Sequence, residues 1–183
     1  MLLATTAVNA AKKAIYKPWD NGKLKVSANQ RYLVHENGKA FFWLGNTAWL
    51  LPERLNRDEV DYFLTKERLC GYNVEQIQVL NAIPTFNVYG QQANNKEFDF
   101  SKVSKPGVYG YWEHMDYIVD CAAANGIYIA MDCIWGSMIG QMDIKKAEAY
   151  GKFLGERYKN KPNIIWMIGG DILGDKSPEV WDA

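Results

Sequence analysis

Residues 163–171 read NIIWMIGGD, an apolar run closed by two glycines and an aspartate. Five consecutive large apolar side chains at 164–168 are typical of a strand that is buried on both faces, as in a parallel sheet. A helical pattern precedes this run, and Pro162 prevents that helix from continuing. The stretch therefore predicts a parallel β-strand whose carboxyl end presents Asp171.

Three further strands of the same character lie upstream of this one. They are predicted at residues 41–46, 73–80 and 127–134, and the fourth at 163–168. Helical patterns alternate with them, the first opened by the capping pair Asn56 and Glu59 and stopped by Gly71. The strand starts lie about thirty residues apart, the length of a βαβ unit, except where the polar segment 81–107 intervenes.

Both an open sheet and a closed barrel fit this alternation. Residues 44–49 after the first strand contain neither GxGxxG nor GxxxxGK[ST], which disfavours an open nucleotide-binding sheet. In a barrel, functional side chains lie at the carboxyl ends of the strands, where this sequence becomes polar or aromatic. We predict an α/β fold, a partial (β/α)8 TIM barrel of strands 1 to 4 with their helices. A short N-terminal β-hairpin, turning at Asn37-Gly38, precedes it.

The chain length suggests part of a larger domain. Its 183 residues fall short of the ~250 residues of a complete barrel, and only residues 172–183 follow Asp171. We predict that residues 24–183 form the N-terminal half of the barrel, with the C-terminal half missing from the chain and required as its partner. Residues 1–23 are expected to be a signal remnant or a disordered N-terminus, so a secreted or periplasmic location is expected.

Composition narrows the class of ligand. Lysine plus arginine and aspartate plus glutamate number 21 each, so no basic surplus favours nucleic acid. No apolar run reaches the ~20 residues of a membrane span. Three cysteines without CxxC spacing and two distant histidines predict no metal, and no cofactor is expected. Aromatic residues make up 14% of the chain, which suits either a large-ringed core or platforms for sugar rings.

Asp171 is the candidate catalytic residue. It stands at the mouth of the predicted barrel, after two glycines that permit tight backbone paths. A general acid needs a pKa raised by apolar neighbours, and Trp135 and Trp166 are candidates for that role. The alternative is that Gly-Gly-Asp is only a turn with a solvated carboxylate.

Several side chains at the other strand ends are candidates for substrate binding. Each has a structural alternative. Asn46 and Thr47 could cap a helix or turn, Gln78 could be an interior amide, and the aromatic rings could pack in the core. Glu75 lies on the opposite alternation from Gln76 and Gln78 and is not predicted to be catalytic, whereas Asp132 is a candidate for an interior barrel carboxylate. The predicted substrate contacts are Asn46, Thr47, Trp49, Gln78, Tyr89 and Trp135.

Several motifs in order resemble the apiosidase-like glycoside hydrolases, family 140. They are LGNTAW at 44–49, GYN at 71–73, NVYG at 87–90, WG at 135–136, YGKFLGERY at 150–158 and NIIWMIGGD at 163–171. The resemblance extends from about residue 24 to residue 171. One departure is Asn46, where the family's first motif usually has aspartate.

The resemblance implies a retaining β/α-barrel enzyme acting on apiose-linked chains of plant pectin, with Asp171 at the position of the acid/base. In such enzymes a second carboxylate on a later strand is the nucleophile. That strand is not expected within this chain, so the chain alone is expected to be inactive. The alternatives are a non-catalytic carbohydrate-binding half barrel, a degenerate remnant, or an unrelated α/β domain.

Overall fold

The computed structural model describes residues 14–103, 105–173 and 177–183. Seven strands and five α-helices are found in these ranges, together with 3-10 turns at Pro18–Asn21, Phe100–Lys102 and Gly136–Gln141. The strands are β1 Leu24–Val26, β2 Leu33–His35, β3 Ala40–Phe41, β4 Gly45–Thr47, β5 Val74–Gln78, β6 Tyr128–Asp132 and β7 Ile164–Met167. The helices are α1 Leu51–Arg54, α2 Arg57–Cys70, α3 Tyr111–Ala124, α4 Ile144–Tyr158 and α5 Pro178–Trp181.

Strands β4 to β7 form one parallel sheet in sequence order, with α2, α3 and α4 as the crossovers. This arrangement confirms the predicted partial β/α barrel. The register aligns Thr47 with Gln76 and Gln76 with Ala130, and aligns Gln78 with Asp132 and Asp132 with Met167. Side chains at the same level therefore point to the same face of the sheet.

The first predicted strand, 41–46, was wrong as a single element. Phe41 pairs with Leu33 in a separate antiparallel sheet, whereas the barrel strand begins at Gly45. The amide of Asn73 occupies the link between them: it donates to the Phe42 carbonyl at 2.7 Å and accepts from the Leu44 N–H at 3.0 Å. These bonds satisfy backbone groups in the link that an uninterrupted strand would pair with its neighbours.

The predicted N-terminal hairpin is present as a three-stranded antiparallel sheet, ordered β1-β2-β3. Its turn at Asn37-Gly38 is closed by the Gly38 N–H, which donates to the His35 carbonyl at 2.9 Å. Ordered structure begins before residue 24, because Trp19 of the first 3-10 turn lies edge-on to Tyr128 at 5.4 Å. The apolar segment 1–10 lies outside the described residues.

Two apolar clusters separate the faces of the parallel sheet. The larger lies between the sheet and the helices and includes Ile77, Ile129 and Met131. The smaller lies on the inner face of the sheet, where Val74, Tyr128 and Ala130 pack against Phe41. The antiparallel sheet thus covers the amino ends of the strands and leaves their carboxyl ends free for a site.

The helices end where the sequence indicates. Asn56 accepts from the N–H groups of Asp58 and Glu59 at 3.0 and 3.1 Å, and Glu59 accepts from the Asn56 N–H, which completes the capping box. Gly71 ends α2 at φ +93°, a left-handed conformation that favours glycine.

An ion pair joins α3 and α4, where Arg157 donates two hydrogen bonds of 2.9 and 2.6 Å to the Asp116 carboxylate. No described helix has both the length and the apolar character needed to cross a membrane.

Strand β7 forms one edge of the sheet, with a strand partner only on the β6 side within the described ranges. Large apolar side chains are exposed around this edge: Trp166 by 44%, Ile168 by 70% and Leu173 by 73%. Unpaired strand edges beside apolar side chains favour pairing with another chain.

Glu75 is buried between the sheet and α2, on the helix-facing side that the alternation predicts. Burial, the largest cause, and the nearby Glu67 carboxylate together raise the pKa of this carboxyl to about 8. In the unfolded chain its pKa returns to the usual range near 4.3. Glu75 therefore holds a proton in the folded state that the unfolded chain releases.

The first prediction concerns stability against pH. The contribution of Glu75 to the free energy of unfolding is fully present below the unfolded pKa and is lost as pH rises through about 8. Glu75→Gln removes this loss, so we expect it to raise the free energy of unfolding at pH 8 by about 2 to 4 kcal/mol and to change it little at pH 5.

Urea unfolding of both proteins between pH 5 and pH 9 measures this difference. Glu148→Gln on the exposed surface of α4 is the matched control, and its pH dependence should follow that of the wild type. Parallel curves for the wild type and Glu75→Gln would contradict the assignment.

The second prediction concerns the β7 edge. We expect the 183-residue chain, without the predicted C-terminal half of the barrel, to self-associate through this edge, and Ile168→Lys to shift it strongly toward monomer, because a lysine beside an open edge opposes strand pairing. Ile144→Lys, a substitution of a 46% exposed isoleucine on α4, is the control and should leave association unchanged. Sedimentation velocity measures the three proteins, and a wild-type chain that is already monomeric at high concentration would refute the prediction.

Candidate active site

The carboxyl ends of the four parallel strands meet at one edge of the sheet. Backbone hydrogen bonds continue past the strand ends and hold them together: Gln78 N–H donates to the Trp49 carbonyl at 2.9 Å, and Val79 N–H to the Asp132 carbonyl at 2.9 Å. Cys133 N–H donates to the Met167 carbonyl at 3.1 Å. The residues that follow each strand are therefore fixed relative to one another, as a preorganised site requires.

Two tryptophans form an aromatic wall at this edge. Trp49 follows β4 and Trp135 follows β6, and their rings lie 5.8 Å apart at 55°. Both side chains are half-buried, so part of each ring remains open to a ligand. The Trp135 N–H donates to the Leu80 carbonyl at 2.9 Å, which fixes its backbone beside β5. The two predicted sugar-binding rings are thus brought together.

Asp171 is exposed beside this wall, in a turn that depends on glycine. A Cβ atom on Gly170 would lie 2.6 Å from the Trp135 ring, and one on Gly136 would lie 2.3 Å from the Gly170 carbonyl oxygen. Larger residues at these positions would force the turn and the ring apart. Asp171 itself has φ +59°, a left-handed conformation that is uncommon for residues other than glycine. The backbone is therefore held in an unfavourable shape where the carboxylate is presented.

The expected neighbour Trp166 lies elsewhere. Its ring faces the helix side of the sheet, 6.5 Å from Tyr158 of α4, because its position in β7 alternates with those of the inner face. Of the two tryptophans considered as apolar neighbours of Asp171, the turn contacts Trp135.

Asp132 ends β6 on the inner face, between Gln78 of β5 and Met167 of β7. Its side chain is buried, and burial is the largest cause that raises the pKa of this carboxyl. The Gly169 N–H lowers the pKa and the charge of Asp171 raises it, and the net pKa is about 7. Asp132 is thus an interior carboxyl group at the level of the strand ends.

The predicted polar contacts of β4 and β5 differ in depth. Gln78 is 8% exposed and lies level with Asp132, directly below the strand ends. Thr47 is exposed and lies two residues deeper, level with Gln76. Both are on the inner face of the sheet, so a ligand entering from the carboxyl ends would meet Gln78 first.

Asn46 does not join this group. It alternates with Thr47 and faces α2, where its amide donates to the Glu67 carboxylate at 3.2 Å. Asn46 therefore links β4 to α2.

The aromatic contacts of Tyr89 are with rings other than Trp49 and Trp135. Its hydroxyl accepts from the Arg57 N–H at 3.0 Å, at the start of α2. Its ring lies edge-on to Tyr109 at 5.4 Å and to His114 of α3 at 5.3 Å. The long polar segment that carries Tyr89 therefore packs, at this point, over the beginnings of α2 and α3.

The strand ends thus combine an aromatic wall, a buried amide, one exposed carboxylate and one buried carboxyl. Rings and an amide can hold a sugar by its C–H face and its hydroxyls, and carboxyl groups can transfer protons. The described residues include no group of three or more histidine, cysteine, aspartate or glutamate side chains arranged to hold a metal ion.

Comparisons with known proteins show the family of the chain. The model of the apiosidase-like catalytic domain matches residues 27–183. No curated protein sequence matches the chain.

Two solved structures are similar over nearly the whole chain. A glycoside hydrolase family 5 protein from Bacteroides vulgatus ATCC 8482 shares 60% identity with a TM-score of 0.88, covering 92% of this chain and 37% of its own. A second, described as a glycoside hydrolase, shares 57% identity with a TM-score of 0.88, covering 92% and 38%. The chain therefore spans less than two fifths of either structure.

A more distant likeness concerns the fold alone. The catalytic domain of the endoglucanase Cel5A from Thermobifida fusca shares 15% identity with a TM-score of 0.58, covering 90% of this chain and 48% of its own. Taken with the family match over most of its length, these likenesses identify the chain as a member of the apiosidase-like catalytic domain family of glycoside hydrolases.

Proposed function

We propose that this chain supplies the acid/base half of the cleft of a retaining, apiosidase-like glycoside hydrolase acting on plant pectin. One observation carries the proposal. Asp171 is exposed at the end of β7, in a turn whose glycines allow close contact with Trp135. A carboxyl group at a strand end, beside a flat ring, is suitably placed to protonate a glycosidic oxygen above that ring.

The reaction needs a second carboxylate. In a retaining mechanism, Asp171 protonates the leaving oxygen while a nucleophile about 5 to 5.5 Å away attacks the anomeric carbon. Asp171 then removes a proton from the water that releases the sugar. We assign the nucleophile to a later strand, contributed by the part of the catalytic domain that the solved relatives have in addition. On this proposal, residues 14–183 alone bind substrate without turning it over.

Substrate binding is assigned to the inner edge of the sheet. Trp49 and Trp135 offer ring faces to the C–H groups of a sugar, and Gln78 and Thr47 offer polar groups to its hydroxyls. The polymeric substrate also favours a secreted or periplasmic location, because plant cell-wall chains are not taken up whole.

The third prediction tests the acid/base role. Residues 14–183 replace the equivalent segment of the Bacteroides vulgatus relative, which restores a complete domain around this cleft. Asp171→Asn in this chimera should lower kcat for an unactivated apiosyl oligosaccharide at least ~100-fold, because a general acid contributes ~100-fold or more. An aryl apioside with a good leaving group needs less protonation, so its first step should lose much less.

Release of the leaving group in the first turnover is measured side by side for the two substrates, because this step precedes the base role of Asp171. Glu148→Gln in the chimera is the control for an exposed acidic residue and should leave both rates unchanged. Equal losses for both substrates, or no loss, would exclude Asp171 as the general acid. Intact sugar binding with no turnover in any chimera would favour the carbohydrate-binding alternative.

The fourth prediction concerns the aromatic wall. Trp135→Ala in this chain should weaken binding of pectic oligosaccharides by on the order of 1 kcal/mol, because a stacking face is lost. Trp166→Ala removes a 44% exposed tryptophan from the helix-facing side of the sheet and should leave binding unchanged. Isothermal titration calorimetry compares the two variants, and equal losses would place the sugar site elsewhere.

A further inference from the structure

A polar cluster to which the proposed mechanism gives no role joins the segments that follow β4 and β5. The Thr85 hydroxyl oxygen lies 2.8 Å from Glu53 Oε1 and 2.9 Å from Asn81 Oδ1. A hydroxyl carries one hydrogen and a carboxylate is the stronger acceptor, so Thr85 donates to Glu53. Thr85 is 2% exposed, whereas Glu53 and Asn81 are half-buried. A buried donor therefore holds a partly open carboxylate.

Backbone contacts place this cluster beside the two tryptophans of the aromatic wall. The Glu53 N–H donates to the Leu50 carbonyl at 3.0 Å, so Glu53 lies one helical turn beyond Trp49. Asn81 directly follows the residue whose carbonyl accepts from the Trp135 N–H at 2.9 Å. The cluster and the aromatic wall therefore lie at the same edge of the sheet.

Further bonds fix the cluster between its two segments. The Val88 N–H donates to the Pro52 carbonyl at 3.1 Å, directly before Glu53 in the chain. The Ala93 N–H donates to the Thr85 carbonyl at 2.9 Å. The carboxylate is thus held by its helix, by a buried hydroxyl and by the backbone around both, as a preorganised binding group requires.

We propose that Glu53 is a specificity-determining residue of the cleft, which accepts hydrogen bonds from adjacent hydroxyls of a neutral sugar and disfavours a uronic acid. The proposal rests on the proposed function, since the sugar is the one assigned to the rings of Trp49 and Trp135. It is carried by the contact of Glu53 with Thr85 beside that wall. A carboxylate has about four acceptor sites, and Thr85 uses one of them.

The physical reason lies in the charge and the shape of a carboxylate. Sugar rings carry hydroxyls on neighbouring carbons, and two such hydroxyls can donate to the two oxygens of one carboxylate in charge-assisted hydrogen bonds. A uronic acid brings a carboxylate of its own, and two like charges that face each other oppose binding. Asp171 adds a second acidic side chain at the same edge of the sheet. The cleft therefore favours the neutral sugars of pectin over the acidic ones.

The test compares a neutral ligand with an acidic ligand on the full 183-residue chain. Glu53→Gln keeps the side-chain length and an oxygen that accepts from Thr85, but removes the charge. We expect the dissociation constant of methyl apioside to rise at least ~5-fold, because hydrogen bonds to a charged group are lost. The dissociation constant of trigalacturonate should fall, because the repulsion is removed. Both constants are measured by NMR titration.

Glu148→Gln removes the same charge from the exposed surface of α4 and should leave both dissociation constants at their wild-type values. Equal weakening of both ligands in Glu53→Gln would show a purely structural role, and that result, like an unchanged ratio of the two constants, would overturn the inference.

Trp135→Ala separates this inference from the proposed function. If methyl apioside binds Trp135→Ala as tightly as the wild type, the sugar site assigned to the aromatic wall is refuted. A wild-type chain that binds neither ligand would contradict the substrate-binding assignment and, with it, the role of Glu53. Weaker binding to Trp135→Ala with an unchanged ratio in Glu53→Gln would overturn the role of Glu53 alone.

Discussion

Strand β6 hydrogen-bonds to β5 on one side and to β7 on the other, and this central ladder sets the height of the strand ends. Its register places Gln78, Asp132 and Met167 at one level of the inner face. The bonds that continue beyond the strands then hold Trp49 and Trp135 above that level. A shift of one residue in any strand would move its polar side chain to the helix side, so the cleft depends on this register.

The sheet buries a carboxyl group on each face, and the two have different consequences. Glu75 faces α2 and Glu67, where no substrate can reach it, so its raised pKa affects stability alone. Asp132 faces inward at the level where the cleft begins, so a similar cost of burial lies beside the proposed site. The alternation of the strands, rather than the chemistry of the group, separates a structural carboxyl from one beside the cleft.

The turn after β7 contains the strained backbone positions of the site. Gly170 and Gly136 leave no room for side chains, and Asp171 adopts a left-handed conformation. Such positions cost on the order of 1 kcal/mol or more and persist where the surroundings impose them. Here the surroundings are the Trp135 ring and the strand ends, so the turn and the aromatic wall fix each other.

Much of the fold follows from local sequence. The apolar runs, the capping pair at Asn56 and Glu59 and the stop at Gly71 predict the parallel strands and their helices, because each depends on neighbours in the chain. The placement of Asp171 and Trp135 at strand ends follows from the same patterns. The family resemblance of residues 163–171 also rests on local sequence, and the family match confirms it.

Other features depend on contacts between distant residues. The Asn73 amide ends β3 and delays the barrel strand to Gly45, and Glu67 holds Asn46 on the helix side. Tyr89 packs against Tyr109 and His114, which lie 20 or more residues further along the chain. The sequence by itself determined the element order and the residues at the strand ends, whose signals are local. Only the tertiary structure decided which of them share the cleft, because that depends on side chains separated by many residues along the chain.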